Sequence, residues 1–269
     1  VQTSHTSSCG IHWIEQGPGR GVPAVVLLHG LGGDAKFWAA EQAWLARDFR
    51  VLAIDLRGSG RSVGSGAAFS MDALAEDVLH VLDEAGLPAA HVVGFSLGGA
   101  VAQATALAAP ERVASLVLAA TFPTVNAQAR LYLRALATLF RSGASSRQMY
   151  ELIVPWLFSV PFLSGPRAAP HLQYVEDPTD LQTPADWLRL LDALLGYDGT
   201  ARLGDIRMPT LVLAGDEDRL ASPADARQLA EGIPAARLEV LPGGHLVNVE
   251  SQEAFIGHIA RFLADMASR

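Results

Sequence analysis

The residues best suited to carry chemistry are Gly94-Phe95-Ser96-Leu97-Gly98, continued by Gly99 and Ala100. They follow the apolar run 91–93 and open a helix-like stretch over 100–109. A serine placed between a strand and a helix projects above the sheet with its hydroxyl at the helix N-terminus, and glycines on both sides permit so sharp a turn. That is the setting of an acyl-transfer nucleophile. A glycine-rich turn before a helix can also cradle a phosphate, which is the plainer reading of the same pattern.

A serine hydroxyl near neutral pH needs a base. Of the eight histidines, His245 stands out, because Pro242-Gly243-Gly244-His245 forms a loop between the apolar run 237–241 and a final helix. His80, His91 and His258 fall in or beside regular elements and read as structural or solvated, whereas His5, His12 and His171 have no informative setting. The base needs a carboxylate to fix its tautomer. The loop Gly215-Asp216-Glu217-Asp218-Arg219 offers three acids after the run 210–214, while Ala120-Thr121-Phe122, after the run 115–119, offers none. The chain order serine, acid, histidine suits any of the three. An oxyanion site is supplied by His29-Gly30-Leu31-Gly32-Gly33, which can present the Leu31 amide opposite that of Leu97. His29 then holds the loop and is not a base.

The elements that must position these residues are legible from periodicity. The runs 24–28, 51–54, 91–94, 115–119, 210–214 and 237–241 are nearly continuous in Val, Leu, Ile and Ala. Such runs indicate strands buried on both faces, as in a parallel sheet. The stretch 10–15, ending at Gln16-Gly17-Pro18-Gly19, reads as a hairpin strand at the sheet's edge. Amphipathic helices are predicted over 71–85, with Ser70 as N-cap and Gly86 as stop, and over 224–231 and 252–266. Strand–helix alternation of this kind predicts a three-layer α/β fold. The rhythm breaks over 122–207, a segment rich in aromatics, helix-like around 126–141 and 184–195, and interrupted by Pro155, Pro161, Pro166 and Pro170. The expected organisation is therefore a core of 1–121 and 208–269 with a helical lid over 122–207.

Bulk composition narrows the function. The chain has 269 residues, half of them hydrophobic, and a net charge of −8, which argues against nucleic acid and anionic membrane surfaces as partners. Lys36 is the only lysine, and no arginine cluster forms a basic patch. Cys9 is the only cysteine, so no intrachain disulfide can form, and a small buried thiol is expected there. Residues 1–8 show no signal-peptide pattern and no run has the length of a membrane span, so a cytoplasmic protein is expected.

Taken together, these residues resemble the α/β-hydrolase family over essentially the whole chain. The oxyanion loop matches at His29-Gly30-Leu31-Gly32, and the Asp-x-Arg-Gly-x-Gly-x-Ser turn at Asp55-Leu56-Arg57-Gly58-Ser59-Gly60-Arg61-Ser62. The family's acid loop, Gly-x-x-Asp with a proline shortly after, matches Gly215 to Asp218 and Pro223, and thereby selects Asp218. Gly244-His245 followed by Glu250 matches the histidine loop. The resemblance implies a Ser96–His245–Asp218 triad acting on a small-molecule ester or lactone, with neither metal nor organic cofactor. Serine at position 96 departs from relatives whose nucleophile is aspartate, the haloalkane dehalogenases and epoxide hydrolases. The ending over 242–250 is similar to the 3-oxoadipate enol-lactonase, aminoacrylate-hydrolase and small-ester branch.

Phe95, Phe122 and Trp156, with Leu31 and Leu97, are candidates for a pocket wall, and each is also a plausible core residue. Arg130, Arg134, Arg141 and Arg189 are candidates to bind a substrate carboxylate, as an enol-lactone would require. Alternative readings on the same residues are a cofactor-free perhydrolase, haloperoxidase or lyase, and a non-catalytic ligand receptor. Whether the chain is a monomer or a homodimer is left open.

Overall fold

The computed structural model describes residues 2–19, 21–62 and 69–267. Its strands are β1 (Gln2–Thr6), β2 (His12–Gln16), β3 (Ala24–Leu28), β4 (Arg50–Ile54), β5 (Ala90–Phe95), β6 (Val113–Ala119), β7 (Thr210–Gly215) and β8 (Ala236–Leu241). They form one sheet in the order β1-β2-β4-β3-β5-β6-β7-β8. From β4 to β8 all pairings are parallel; β2 runs antiparallel to both β1 and β4. The fold is thus the α/β-hydrolase fold, with a mostly parallel sheet.

The apolar strand runs are continuous because the sheet is covered twice. Val26, Leu28, Val92, Leu116 and Val212 join one core cluster, while their neighbours Val25, Leu27, Val93, Val117 and Leu211 join another. Successive side chains of a strand point to opposite faces, so a strand buried on both sides has no polar positions to spare. The first face is covered by α2 (Met71–Glu84), α3 (Leu97–Ala108) and α8 (Pro223–Gly232), the second by α1 (Ala39–Leu45) and α10 (Gln252–Ala267). Ser70 caps α2 by accepting from the Ala73 amide, and Gly86 beyond its end takes φ +66°.

Two expectations at the N-terminus are corrected. The edge strand is β1, which among the described residues pairs only with β2, so the strand predicted over 10–15 lies inside the sheet. The polar composition of Gln2–Thr6, exposed throughout, hides it from a search for apolar runs. Cys9 is exposed, not buried, because it sits in the turn joining these strands, where its thiol lies 3.1 Å from Ser7 Oγ.

Between β6 and β7 lie α4 (Ala127–Arg141), α5 (Ser146–Leu157), α6 (Val160–Leu163) and α7 (Pro184–Gly196), and the last turns before the C-terminal helix form α9 (Val247–Glu250). The prolines interrupt this segment only in part, since Pro155 and Pro170 lie inside helical elements. Pro155 lies inside α5 near its end, and Pro161 and Pro166 stand at the starts of α6 and of a 3-10 turn, where a missing N–H costs nothing. Leu190, Leu191 and Leu194 of α7 and Leu133 and Leu136 of α4 join the first core cluster, which fastens the segment to the sheet.

Candidate active site

Ser96 stands between β5 and α3 with φ 52° and ψ −115°, a backbone conformation that a residue with a side chain adopts only under strain. The neighbouring glycines are required by space. A Cβ at Gly94 would lie 2.2 Å from the Gly98 carbonyl oxygen, and one at Gly98 would lie 2.2 Å from that of Leu28. Hydrogen bonds hold the turn: the Ser96 amide donates to Ala119 O at 3.0 Å, and Thr121 Oγ1 donates to Ser96 O at 2.7 Å.

His245 arrives from the loop after β8. Its Nε2 lies 3.1 Å from Ser96 Oγ, and its Nδ1 lies 2.8 Å from Asp218 Oδ2. Asp218 is the acid of the 216–218 loop that reaches the ring, and the other two are engaged elsewhere. Asp216 accepts from the Gly243 amide at 2.9 Å, and Glu217 accepts from that of Val160 at 3.2 Å. Asp218 Oδ1 accepts the amides of Leu220 and Ala221 at 2.8 and 2.9 Å. With the carboxylate an acceptor only, Nδ1 is the protonated ring nitrogen and Nε2 turns its lone pair toward Ser96. Glu250 ties the histidine loop down, accepting from the amides of Gly244 and Ser159, each at 2.9 Å. This contact gives a physical sense to the spacing between His245 and Glu250.

His29 is fully buried and holds its loop at both ring nitrogens. Nδ1 donates to Gly30 O at 2.7 Å, and Nε2 accepts the Leu56 amide at 3.0 Å. Burial holds its pKa below the ordinary histidine value, in keeping with a neutral ring. The loop it supports contributes Leu31 to the wall of a cavity of about 460 Å³ that also contains Ser96 and His245. Among the described residues the Leu31 amide has no hydrogen-bond acceptor. Leu97 itself does not reach the cavity, since its side chain is wholly buried in the core; its amide belongs to the first turn of α3, where N–H groups have no intrahelical acceptor.

Phe95 and Phe122 line the cavity, whereas Trp156 does not. It stacks on Tyr132, ring centroids 4.2 Å apart, within the helical segment. The indole on the wall is that of Trp187, on α7, whose Nε1 would lie 3.2 Å from a Cβ at Gly32. Its sequence setting is no different from that of the other aromatics of 122–207. None of the candidate arginines faces the cavity. Arg130 donates to Leu195 O at 2.6 Å, Arg189 reaches Asp186 at 3.4 Å, and Arg134 and Arg141 line a separate surface depression with Asp192.

Sequence reasoning missed a second buried histidine–carboxylate pair. His12 Nδ1 lies 2.8 Å from Asp55 Oδ2, and its Nε2 lies 2.7 Å from Ser4 Oγ. Asp55 also accepts the amides of Ala35 and Arg61, so the pair pins the N-terminal hairpin to the 55–62 turn. The partners come from separate elements, and no local spacing announces them. Among the described residues no group of three or more His, Cys, Asp or Glu side chains is placed to hold a metal ion, and no helix is long and apolar enough to cross a membrane.

Comparison with known proteins agrees with the fold. The family model for the alpha/beta hydrolase fold matches residues 23–146. RutD of Variovorax paradoxus (strain S110), which carries the name of a carbamate hydrolase, is 36% identical, covering 96% of this chain and 97% of that one. Among solved structures, the enol-lactonase from Burkholderia xenovorans LB400 superposes with a TM-score of 0.88 at 26% identity, over 97% of this chain and 100% of that one. A hydrolase from Pseudomonas aeruginosa PA01 gives 0.83 at 30% identity, over 97% and 98%.

Proposed function

This chain belongs to the α/β-hydrolase fold family, and we propose that it is a serine hydrolase cleaving a carboxylic ester or lactone through an acyl-enzyme on Ser96. The observation that carries this reading is the unbroken relay from Ser96 Oγ through His245 to a buried Asp218, at 3.1 and 2.8 Å. Such spacing suits proton transfer from the hydroxyl to Nε2 as Oγ attacks the carbonyl carbon. Asp218 stays ionised, orients the ring and stabilises the imidazolium. The negative oxygen of the tetrahedral intermediate is received by the Leu31 and Leu97 amides, and losing one such donor raises the barrier by about 3 kcal/mol. His245 then returns its proton to the leaving oxygen. Water, deprotonated by the same nitrogen, attacks the acyl carbon; the acyl C–Oγ bond then breaks as His245 passes that proton to Ser96 Oγ, releasing the acid and free Ser96.

The helical segment 122–207 serves as the lid, contributing Leu133, Met149 and Trp187 to the cavity over the serine. A carbamate, the substrate class in the name of RutD, would be attacked at its carbonyl by the same steps, and the triad does not discriminate against it. Hydrolysis of p-nitrophenyl acetate and butyrate by wild type and Ser96→Ala tests the reading. Turnover by wild type, lost in a Ser96→Ala protein with unchanged circular dichroism, supports it, and turnover that survives the substitution overturns it.

A further inference from the structure

The wall of the cavity has a charge pattern that the triad does not require. Leu133, Leu136, Phe140, Met149, Ile153 and Trp187 form its lid side, and among the described lining residues there is no lysine or arginine. The one carboxylate among the described lining residues is Asp180, which is exposed to solvent. The neutral polar side chains are largely committed to other partners. Tyr150 donates its hydroxyl hydrogen to His171 O at 2.6 Å, Thr183 to Asp186 at 2.7 Å, and Gln182 donates to Gly58 O and Ser59 Oγ at 3.0 and 2.9 Å. Ser146, the Tyr174 hydroxyl and the Trp187 indole N–H remain as neutral donors.

We infer that this cavity selects an uncharged, apolar acyl group and rejects one bearing a free carboxylate. A carboxylate drawn into it would lose its hydration without gaining a cation, and a buried charge without a partner is strongly disfavoured. Asp180, among the lining residues, adds repulsion of the same sign. A methylene chain instead meets a mainly aromatic and aliphatic wall, and the cavity of about 460 Å³ lies within the range of small-molecule sites. The inference rests on the acyl-transfer reading for placing the acyl group beside Ser96. It separates this chain from any relative whose substrate is an anion, however similar the triad.

The test uses a matched pair of esters that differ only in replacement of a terminal methyl by a carboxylate: p-nitrophenyl hexanoate and mono-p-nitrophenyl adipate. Binding to Ser96→Ala is followed at pH 7.5 by quenching of tryptophan emission by the nitrophenyl group, with Trp187→Phe in the same background showing which ring reports. We expect a Kd for the hexanoate lower by about 30-fold or more. Equal or tighter binding of the adipate would overturn the inference. Because Ser96→Ala is used, selectivity in binding with no hydrolysis of either ester by wild type would uphold the inference while sinking the hydrolase reading. Ile153→Arg, which adds a cation at a half-buried wall position, is expected to shrink the preference at least tenfold, and an unchanged preference would overturn the charge explanation.

Discussion

Asp218 divides its two oxygens between the His245 ring and the backbone of its own loop, and this division determines what its replacement does. In Asp218→Asn the amide oxygen is best used on the Leu220 and Ala221 amides, which turns the NH₂ toward Nδ1. The ring then takes the other tautomer, with its proton on Nε2 and no lone pair for Ser96. We expect kcat for a p-nitrophenyl ester to fall by about 10⁴-fold with little change in thermal stability, measured by steady-state kinetics and a melting curve. At this scale the sequence was partly legible. Ser96 and His245 each sit in a run of glycines whose spacing can be read locally. Choosing among Asp216, Glu217 and Asp218 depends on which side chain turns toward a loop nearly thirty residues away, and residue types alone did not decide it; the family pattern selected Asp218. The exchange of Trp156 for Trp187 on the cavity wall has the same origin, since packing between helices sets which indole faces inward.

Elements constrain each other where they cross, and two such crossings carry predictions. Gly98 lies against the end of β3, so Gly98→Ala must push a methyl group into the Leu28 carbonyl. Rigid backbone cannot give way as a side chain can, and we expect a loss of about 3 kcal/mol or insoluble protein, read by denaturant unfolding. The second crossing joins α1 to α9. Glu41 is buried, with Asn248 Nδ2 3.5 Å from its carboxylate, and Asn248 Oδ1 has no partner. Burial pushes the Glu41 pKa up from 4.5 to about 7, against a smaller lowering by its own amide and Asn248. Between these two values the folded protein keeps a proton that the unfolded chain has released. Stability therefore falls as pH rises across that window and levels off above it. Glu41→Gln abolishes the penalty and can donate to Asn248 Oδ1. We expect it to stabilise the fold at pH 8 by ~3 kcal/mol at most, seen as a higher melting temperature, with the gain shrinking toward pH 5. Periodicity located α2, α3, α4, α7, α8, α10 and the parallel strands to within a few residues, but not the short α1, nor β1, which is exposed and polar, nor the pairing of Glu41 with Asn248, which is tertiary.

The molecule as a whole is a doubly covered sheet with an uneven upper layer. The strands β3, β5 and β6 are buried throughout or nearly so, whereas residues 172–182 are largely exposed and tied down by few backbone bonds. Lys36, the chain's only lysine, bonds Asp177 and Thr179 from the core side, and Gln182 reaches the 55–62 turn. Local opening draws on such weakly anchored segments. Hydrogen exchange is expected to be complete over 172–179 within minutes while the central strands stay protected for hours, and Lys36→Met should speed exchange over 177–182 without moving the strands. The parallel sheet was legible because burial on both faces leaves a signature in composition. The proposed lid showed only as a break in that rhythm, with its helical ends recognised and α5 concealed by Pro155.

The central claim is that Ser96 is a nucleophile made reactive by His245, and covalent labelling tests it without any knowledge of the natural substrate. Wild type, Ser96→Ala and His245→Ala are treated with a fluorophosphonate, digested, and mapped by mass spectrometry. The account predicts one stoichiometric adduct on the peptide containing Ser96 in wild type, none in Ser96→Ala, and labelling slowed at least a hundredfold in His245→Ala. A wild-type protein that stays unlabelled, or an adduct that persists on another residue in Ser96→Ala, would contradict it.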